Sequence, residues 1–182
     1  MGKNKYKREI LDRERIEKSL TRMAHEILEQ AGDPGKLAVI GIRTRGEFIA
    51  TRLAAKLKEI SGVEMPIGFL GVTFYRDDFR ERLAAPEVKG TDISFIIDGM
   101  TVILADDVLY SGRTVRAALS EIIDFGRPDR VMLAVLVDRG HREMPIKADF
   151  VGKNVPTADN EHVYVLLNEV DGEDTVYLEK FD

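Results

Sequence analysis

Two adjacent acids lead into a short hydroxyl-bearing loop, Asp106-Asp107-Val108-Leu109-Tyr110-Ser111-Gly112-Arg113-Thr114, at the end of an apolar run that begins at Val102. These residue types in this order describe a chemistry. Small residues let the backbone curl so that successive N–H groups point inward and form an anion nest. A helix starting at once adds its first amides and the positive end of its dipole. Ser111 and Thr114 bring hydroxyl donors to the same anion, and Gly112 permits a backbone approach that a side chain could block. Asp106 and Asp107 accept hydrogen bonds from vicinal hydroxyls. A ligand with both a diol and a phosphate satisfies the whole set, and phosphoribosyl pyrophosphate is such a ligand. An ordinary strand-to-helix turn would explain one Asp and one Ser-Gly pair; it does not account for two acids and Ser-Gly-Arg-Thr in register.

The elements around this loop must present it at one end of a sheet. Apolar runs at 37–42, 67–75, 101–105 and 130–137 read as buried strands, and residues 47–60 and 113–125 as the helices between them. Ile10, Ile16, Leu20, Met23, Ala24, Ile27 and Leu28 recur at helical spacing, with Gly32-Asp33-Pro34-Gly35 as the stop. This β/α alternation predicts an α/β fold, a parallel sheet flanked by helices, with its ligand site beyond the carboxyl ends of the strands. Thr44-Arg45-Gly46 and Asp138-Arg139 also follow predicted strands, so one cleft can collect them with the acids. Residues 76–92 mix charge with Ala, Pro and Gly without a period and read as a flexible lid loop. Residues 163–167 and 175–178, separated by Val170-Asp171-Gly172-Glu173, predict a C-terminal hairpin.

Composition sets the remaining bounds. The chain has 182 residues, 44% hydrophobic and 32% charged, which predicts a single globular domain over 1–182 with residues 1–9 loose. It has no cysteine, which excludes disulfides and thiolate chemistry. No apolar stretch reaches membrane-span length, and no signal core follows the basic start, so a cytoplasmic protein is expected. The net charge of -5 does not announce a nucleic-acid binder, so any RNA contact requires a local basic face. A Gly-x-x-x-x-Gly-Lys-Ser/Thr loop does not occur, which disfavours a P-loop kinase.

The segment 102–114 resembles the phosphoribosyl-pyrophosphate signature of type I phosphoribosyltransferases. Further segments narrow the resemblance: Gly41-Ile42-Arg43-Thr44-Arg45-Gly46, Thr73-Phe74-Tyr75-Arg76-Asp77-Asp78, Val135 through Glu143, and Ala148 through Thr157. Together they resemble the bacterial pyrimidine-operon attenuation regulators, RNA-binding proteins that are also uracil phosphoribosyltransferases. The resemblance runs from about Leu20 to near the C-terminus. Two departures support it. Relatives acting on 6-oxopurines typically carry an acid where this chain has Tyr110, and the Gly-Asp-rich motif of dedicated uracil-salvage enzymes has no equivalent here. The alternative is a pyrimidine-salvage phosphoribosyltransferase without an RNA role.

The resemblance implies a type I phosphoribosyltransferase fold with a lid and a C-terminal hood, and it distributes roles. Asp106 and Asp107 orient the ribose, and Val108, Leu109, Tyr110, Ser111, Gly112, Arg113 and Thr114 form the phosphoribosyl loop. Thr44, Arg45 and Gly46 look like the pyrophosphate loop, which the family often holds with a strained non-proline peptide. Arg76 reaches the leaving pyrophosphate as the lid closes and excludes water. Arg139 lines the base pocket, with chain near Val163 covering the base. Thr21, His25, Arg142, Lys147 and Lys153 match positions that the family associates with RNA contact. Mg²⁺ enters mainly on pyrophosphate and ribose oxygens, with no certain protein ligand. UMP is the regulatory ligand, the leader of the pyrimidine-biosynthesis messenger RNA the partner, and a homodimer or larger homo-oligomer the expected assembly. His141 is not assigned as a base, because a loop His beside two Arg residues is more often structural or RNA-facing.

Overall fold

The structure is a computed structural model and describes residues 6–72 and 90–181. Its centre is a five-stranded, wholly parallel sheet in the order β3-β2-β4-β5-β6, with β2 at Leu37–Ile42, β3 at Ile67–Leu70, β4 at Thr101–Leu109, β5 at Arg130–Asp138 and β6 at Phe150–Asn154. Side chains alternate across a strand, and each face finds its own cover. Val39, Ile103, Met132 and Ala134 face one layer, where α1 (Arg13–Ala31) and α2 (Arg45–Ser61) supply Ile16, Leu20, Met23, Ile27, Ile49 and Leu53. Ile40, Val102, Leu104, Leu133 and Val135 face the other, closed by Val115, Ala118 and Ile122 of α3 (Arg113–Phe125).

A second, three-stranded antiparallel sheet, β1-β8-β7, forms the hood. Here β7 (Glu161–Leu166) and β8 (Thr175–Lys180) make the expected hairpin around a short helix, α4 (Asn168–Asp171). The third strand, β1 (Tyr6–Leu11), corrects two expectations. Residues 6–9 are not loose, because they pair with β8, and Ile10 does not belong to the first helix, because it lies within the strand at the irregularity between paired Glu9 and Leu11. The helix begins after Asp12, whose carboxylate accepts the Arg15 N–H at 2.8 Å as an N-cap.

Two further differences bear on the site. Strand β4 runs on to Leu109 instead of ending at Ala105, because β5 continues to pair with it through Val108↔Val137 and Leu109↔Asp138 after β2 has stopped. Asp106 and Asp107 therefore lie within the strand, not beyond it. Strand β6 adds a fifth parallel strand that periodicity did not mark; it is short, and its last two residues, Lys153 and Asn154, are exposed. Residues 73–89, which hold the end of the expected 67–75 strand and nearly all of the expected lid including Arg76, lie outside the described residues. Its last residue, Asp92, is bridged to Phe69 through two backbone hydrogen bonds of 2.8 Å.

Candidate active site

Strand β4 carries the two carboxylates, and burial is what defines them. Asp106 is 3% and Asp107 7% exposed. Each takes a backbone donor from its successor: Asp107 N–H to Asp106 Oδ1 and Val108 N–H to Asp107 Oδ1, both at 2.9 Å. A buried carboxylate keeps its charge only with donors or cations at hand, so these two are set for a polar ligand. After β4 the chain turns through Tyr110, Ser111 and Gly112. Gly112 is left-handed (φ 90°) and caps α3, and a Cβ there would sit 3.1 Å from Met144 Cβ. Ser111 is fully buried, its Oγ accepting from Arg113 N–H at 3.2 Å. The first-turn amides of α3 then have no intrahelical acceptor, the arrangement that recruits phosphate.

The Thr44-Arg45-Gly46 segment comes to the same place from β2. The Arg43–Thr44 peptide is cis, as the resemblance implied for this loop. Gly46 is packed so tightly on β4 that a Cβ would lie 2.7 Å from the Ala105 carbonyl and 3.1 Å from Asp106 Oδ1. Gly41 is equally constrained, with the Gly46 carbonyl 2.5 Å from its missing Cβ. Two glycines thus seat the start of α2 directly against Ala105 and Asp106 of β4. Arg45 does not point freely into this space. Its Nη2 and Nε donate to Asp171 of α4 at 2.8 and 3.3 Å. Sequence reasoning missed Asp171, because Val170-Asp171-Gly172-Glu173 reads as a plain turn.

On the other side of β4, Arg139 is 6% exposed and fixed at both ends. Its N–H donates to the Leu109 carbonyl (3.1 Å), its Nη2 to the Glu161 carbonyl (2.7 Å) and its Nε to Thr157 (3.3 Å). Its guanidinium lies 4.1 Å over the Tyr110 ring. Arg139 therefore joins the end of β4 and Tyr110 to the start of β7, the strand in which half-buried Val163 pairs with Leu178. His141 has φ 57° and a ring nitrogen 2.5 Å from the Thr157 carbonyl, a structural contact.

The residues expected to meet RNA separate into two groups. Arg22 of α1 donates to the carbonyls of Val151 and Gly152 at 3.0 and 2.7 Å, so Thr21 and exposed His25 share a flank with exposed Lys153. Lys147 is exposed on the connection between β5 and β6. Arg142 is different. Its guanidinium donates inward to Ile146 (2.9 Å), Tyr110 (2.8 Å) and Gly140 (3.1 Å) carbonyls and pairs with Asp138.

Away from the cleft, a polar depression of about 430 Å³ opens between α1, α2 and the hood. Arg52 donates there to Glu169 and Asp174, at 2.6 Å to each. Burial disfavours the Arg52 charge, but these hydrogen bonds outweigh it and hold the guanidinium above its ordinary range. Glu169 is lowered chiefly by the Arg52 hydrogen bond. Asp174 is desolvated, yet donors from Arg52 and the Asn168 N–H keep it below the usual carboxylate value.

A parallel sheet carries a carboxylate pair, the start of a helix and a glycine-seated second loop together at one end, and comparison with known proteins shows the family. The phosphoribosyl transferase domain matches residues 7–169. The bifunctional protein PyrR of Pelotomaculum thermopropionicum is 52% identical over 94% of this chain and 95% of its own length. The PyrR of Roseiflexus sp. is 56% identical over 91% and 90% respectively. Among solved structures, a hypoxanthine-guanine phosphoribosyltransferase from Bacillus anthracis superposes with a TM-score of 0.71 at 18% identity, over 97% of this chain and 99% of that one; it shares the fold. The chain belongs to the phosphoribosyltransferase family and, within it, to the group of bifunctional PyrR proteins.

Enzymes of this family generally use Mg²⁺ with phosphoribosyl pyrophosphate. Among the described residues no cluster of three or more His, Cys, Asp or Glu could hold a metal unaided. Consecutive Asp106 and Asp107 offer hard oxygen donors at the site. That set fits an ion carried largely by substrate oxygens and its own waters.

Proposed function

We propose that this protein transfers the phosphoribosyl group of phosphoribosyl pyrophosphate to uracil, forming UMP and pyrophosphate, and that its UMP-bound form binds the leader of the pyrimidine-biosynthesis messenger RNA and promotes transcription termination. The observation that carries the catalytic half is the seating of Gly46 on Ala105 and Asp106, which gathers three subsites around one sugar. Asp106 and Asp107 orient the ribose hydroxyls, and residues 110–114 hold the 5'-phosphate. Arg45, once it leaves Asp171, and Arg76 stabilise the leaving pyrophosphate. Arg139 and the chain at Val163 border the base.

In the reaction the C1'–oxygen bond to pyrophosphate breaks and the bond to uracil N1 forms, with loss of the N1 proton. The transition state has oxocarbenium character, so positioning and stabilisation of the leaving charge dominate. Bound Mg²⁺ would supply part of that charge neutralisation, and Asp106 and Asp107 are the residues that would help hold it.

The regulatory half is supported by the relationship to bifunctional PyrR proteins and by the shared flank of Thr21, His25 and Lys153, with Lys147 beside it on the β5–β6 connection. An RNA target places the work in the cytoplasm, and a homodimer would join two such flanks. Two measurements test the proposal. Purified protein given uracil and phosphoribosyl pyrophosphate is expected to release UMP. Labelled leader RNA at fixed salt is expected to bind more tightly with UMP than without, and an unrelated hairpin is not. Equal weak binding of both RNAs, unaffected by UMP, would leave the alternative of a salvage phosphoribosyltransferase.

A further inference from the structure

We propose that Asp171, in the hood, is a positioning residue for the pyrophosphate subsite: it competes with the pyrophosphate group for the Arg45 guanidinium, and so sets how tightly that group is held and how readily it leaves. The inference rests on the reading of Arg45 as a pyrophosphate ligand. Arg45 is the first residue of α2 and precedes Gly46, which seats that helix on Ala105 and Asp106. The pair is largely shielded from solvent, with 14% of the Arg45 and 18% of the Asp171 side chain exposed. Arg45 Nη2 donates to Asp171 Oδ1 at 2.8 Å and Nε to Oδ2 at 3.3 Å. Two oxygens of a phosphate would take the same edge of the guanidinium in the same way.

Asp171 is itself fixed by the turn between β7 and β8. Its Oδ2 also accepts the Leu167 N–H at 2.9 Å, and its own N–H donates to the Leu167 carbonyl at 2.7 Å. Two turns further along α2, Arg52 grips the same segment through Glu169 and Asp174, so α4 keeps a second anchor when Arg45 lets go. The Asp171 carboxylate therefore stays in place whether or not it holds Arg45. With the subsite empty it neutralises the guanidinium; with the subsite filled it stands as a like charge near the pyrophosphate. Pyrophosphate has to displace Asp171 on entry, and Asp171 reclaims Arg45 as the product departs.

The test is calorimetric binding of inorganic pyrophosphate, with and without Mg²⁺, and of UMP, together with initial rates in phosphoribosyl pyrophosphate, on the parent, Asp171→Asn and Arg45→Gln. Asparagine keeps an oxygen for the Leu167 N–H and removes the charge. Its Kd for pyrophosphate and KM for phosphoribosyl pyrophosphate should fall about fivefold, while Kd for UMP, which carries no pyrophosphate, stays at the parent value. A merely structural role would weaken every ligand. Arg45→Gln should weaken pyrophosphate binding, and the gain from Asp171→Asn should shrink in that background, because the competition needs Arg45. If Asp171→Asn does not fold, hydrogen exchange on the parent carries the test: saturating pyrophosphate should speed exchange at residues 168–172, and UMP should not. Unchanged or weaker pyrophosphate binding by Asp171→Asn would overturn the proposal, and weakening confined to samples with Mg²⁺ would make Asp171 a metal ligand instead. If Arg45→Gln leaves pyrophosphate binding untouched, the reading on which the proposal rests is the one that fails.

Discussion

At the scale of single residues, Gly46 and Asp106 act as one contact. With no side chain, Gly46 lets the start of α2 reach β4, and a methyl group there would press on the Ala105 carbonyl and the Asp106 Cα. Gly46→Ala is expected to cost about 1–3 kcal/mol of stability by overpacking, and to lower kcat/KM for phosphoribosyl pyrophosphate about a hundredfold by shifting one subsite against another. A thermal melt and initial rates read both. Asp106→Asn should separate the two effects. Asparagine keeps an oxygen for the Asp107 N–H, so the melt should barely move, while loss of the charge at the ribose should lower kcat/KM about a hundredfold. Equal activity of the Asn variant would remove Asp106 from the mechanism. These positions were legible in the sequence because acids followed by Ser-Gly-Arg-Thr have few other uses. Asp171 was not, because the partner that gives it meaning, Arg45, is brought to it only by the fold.

At the scale of elements, the hood is tied to α2 by charge and the sheet is held by packing. The Arg52 cluster makes the hood docking sensitive to acid. Glu169 and Asp174 both titrate below their ordinary values in the folded protein. Their contribution is therefore complete above the unfolded carboxylate range, about pH 4, and is lost as pH falls through their lowered folded values. The melting temperature should drop on acidification across that window, and Arg52→Met should flatten the drop while lowering stability at neutral pH. Phe150, fully buried at the start of β6, should show the opposite behaviour: Phe150→Ala costs about 3–5 kcal/mol at any pH, read by denaturant melts. Elements with strong local signals were readable in advance. Strand β2 and helix α3 fall where periodicity put them, since six consecutive buried residues and one clean apolar stripe leave little choice. Strands β1 and β6 were not readable. The first carries Lys7, Arg8 and Glu9 and finds its partner only near the far end of the chain, and the second alternates for just three residues.

At the scale of the whole molecule, an acidic protein must bind a polyanion through a local surface. The net charge of -5 repels RNA at long range, so affinity has to come from close contacts on the flank of α1 and β6. Leader-RNA affinity should fall linearly on logarithmic axes with salt, and Lys153→Gln should reduce the slope by about one counterion. An unchanged slope would move the interface elsewhere. The pairing of Tyr6 with Lys180 has a consequence for how the chain is made. All five strands of the parallel sheet lie earlier in the chain than β7 and β8, so synthesis delivers the platform ahead of its hood. Until β8 emerges, β1 has no partner and its edge stays open to other chains. Arg45 and Arg52 meanwhile have no Asp171, Glu169 or Asp174 to hold. A chain whose β8 has not yet emerged would thus present the mouth of the site beneath an unfinished roof.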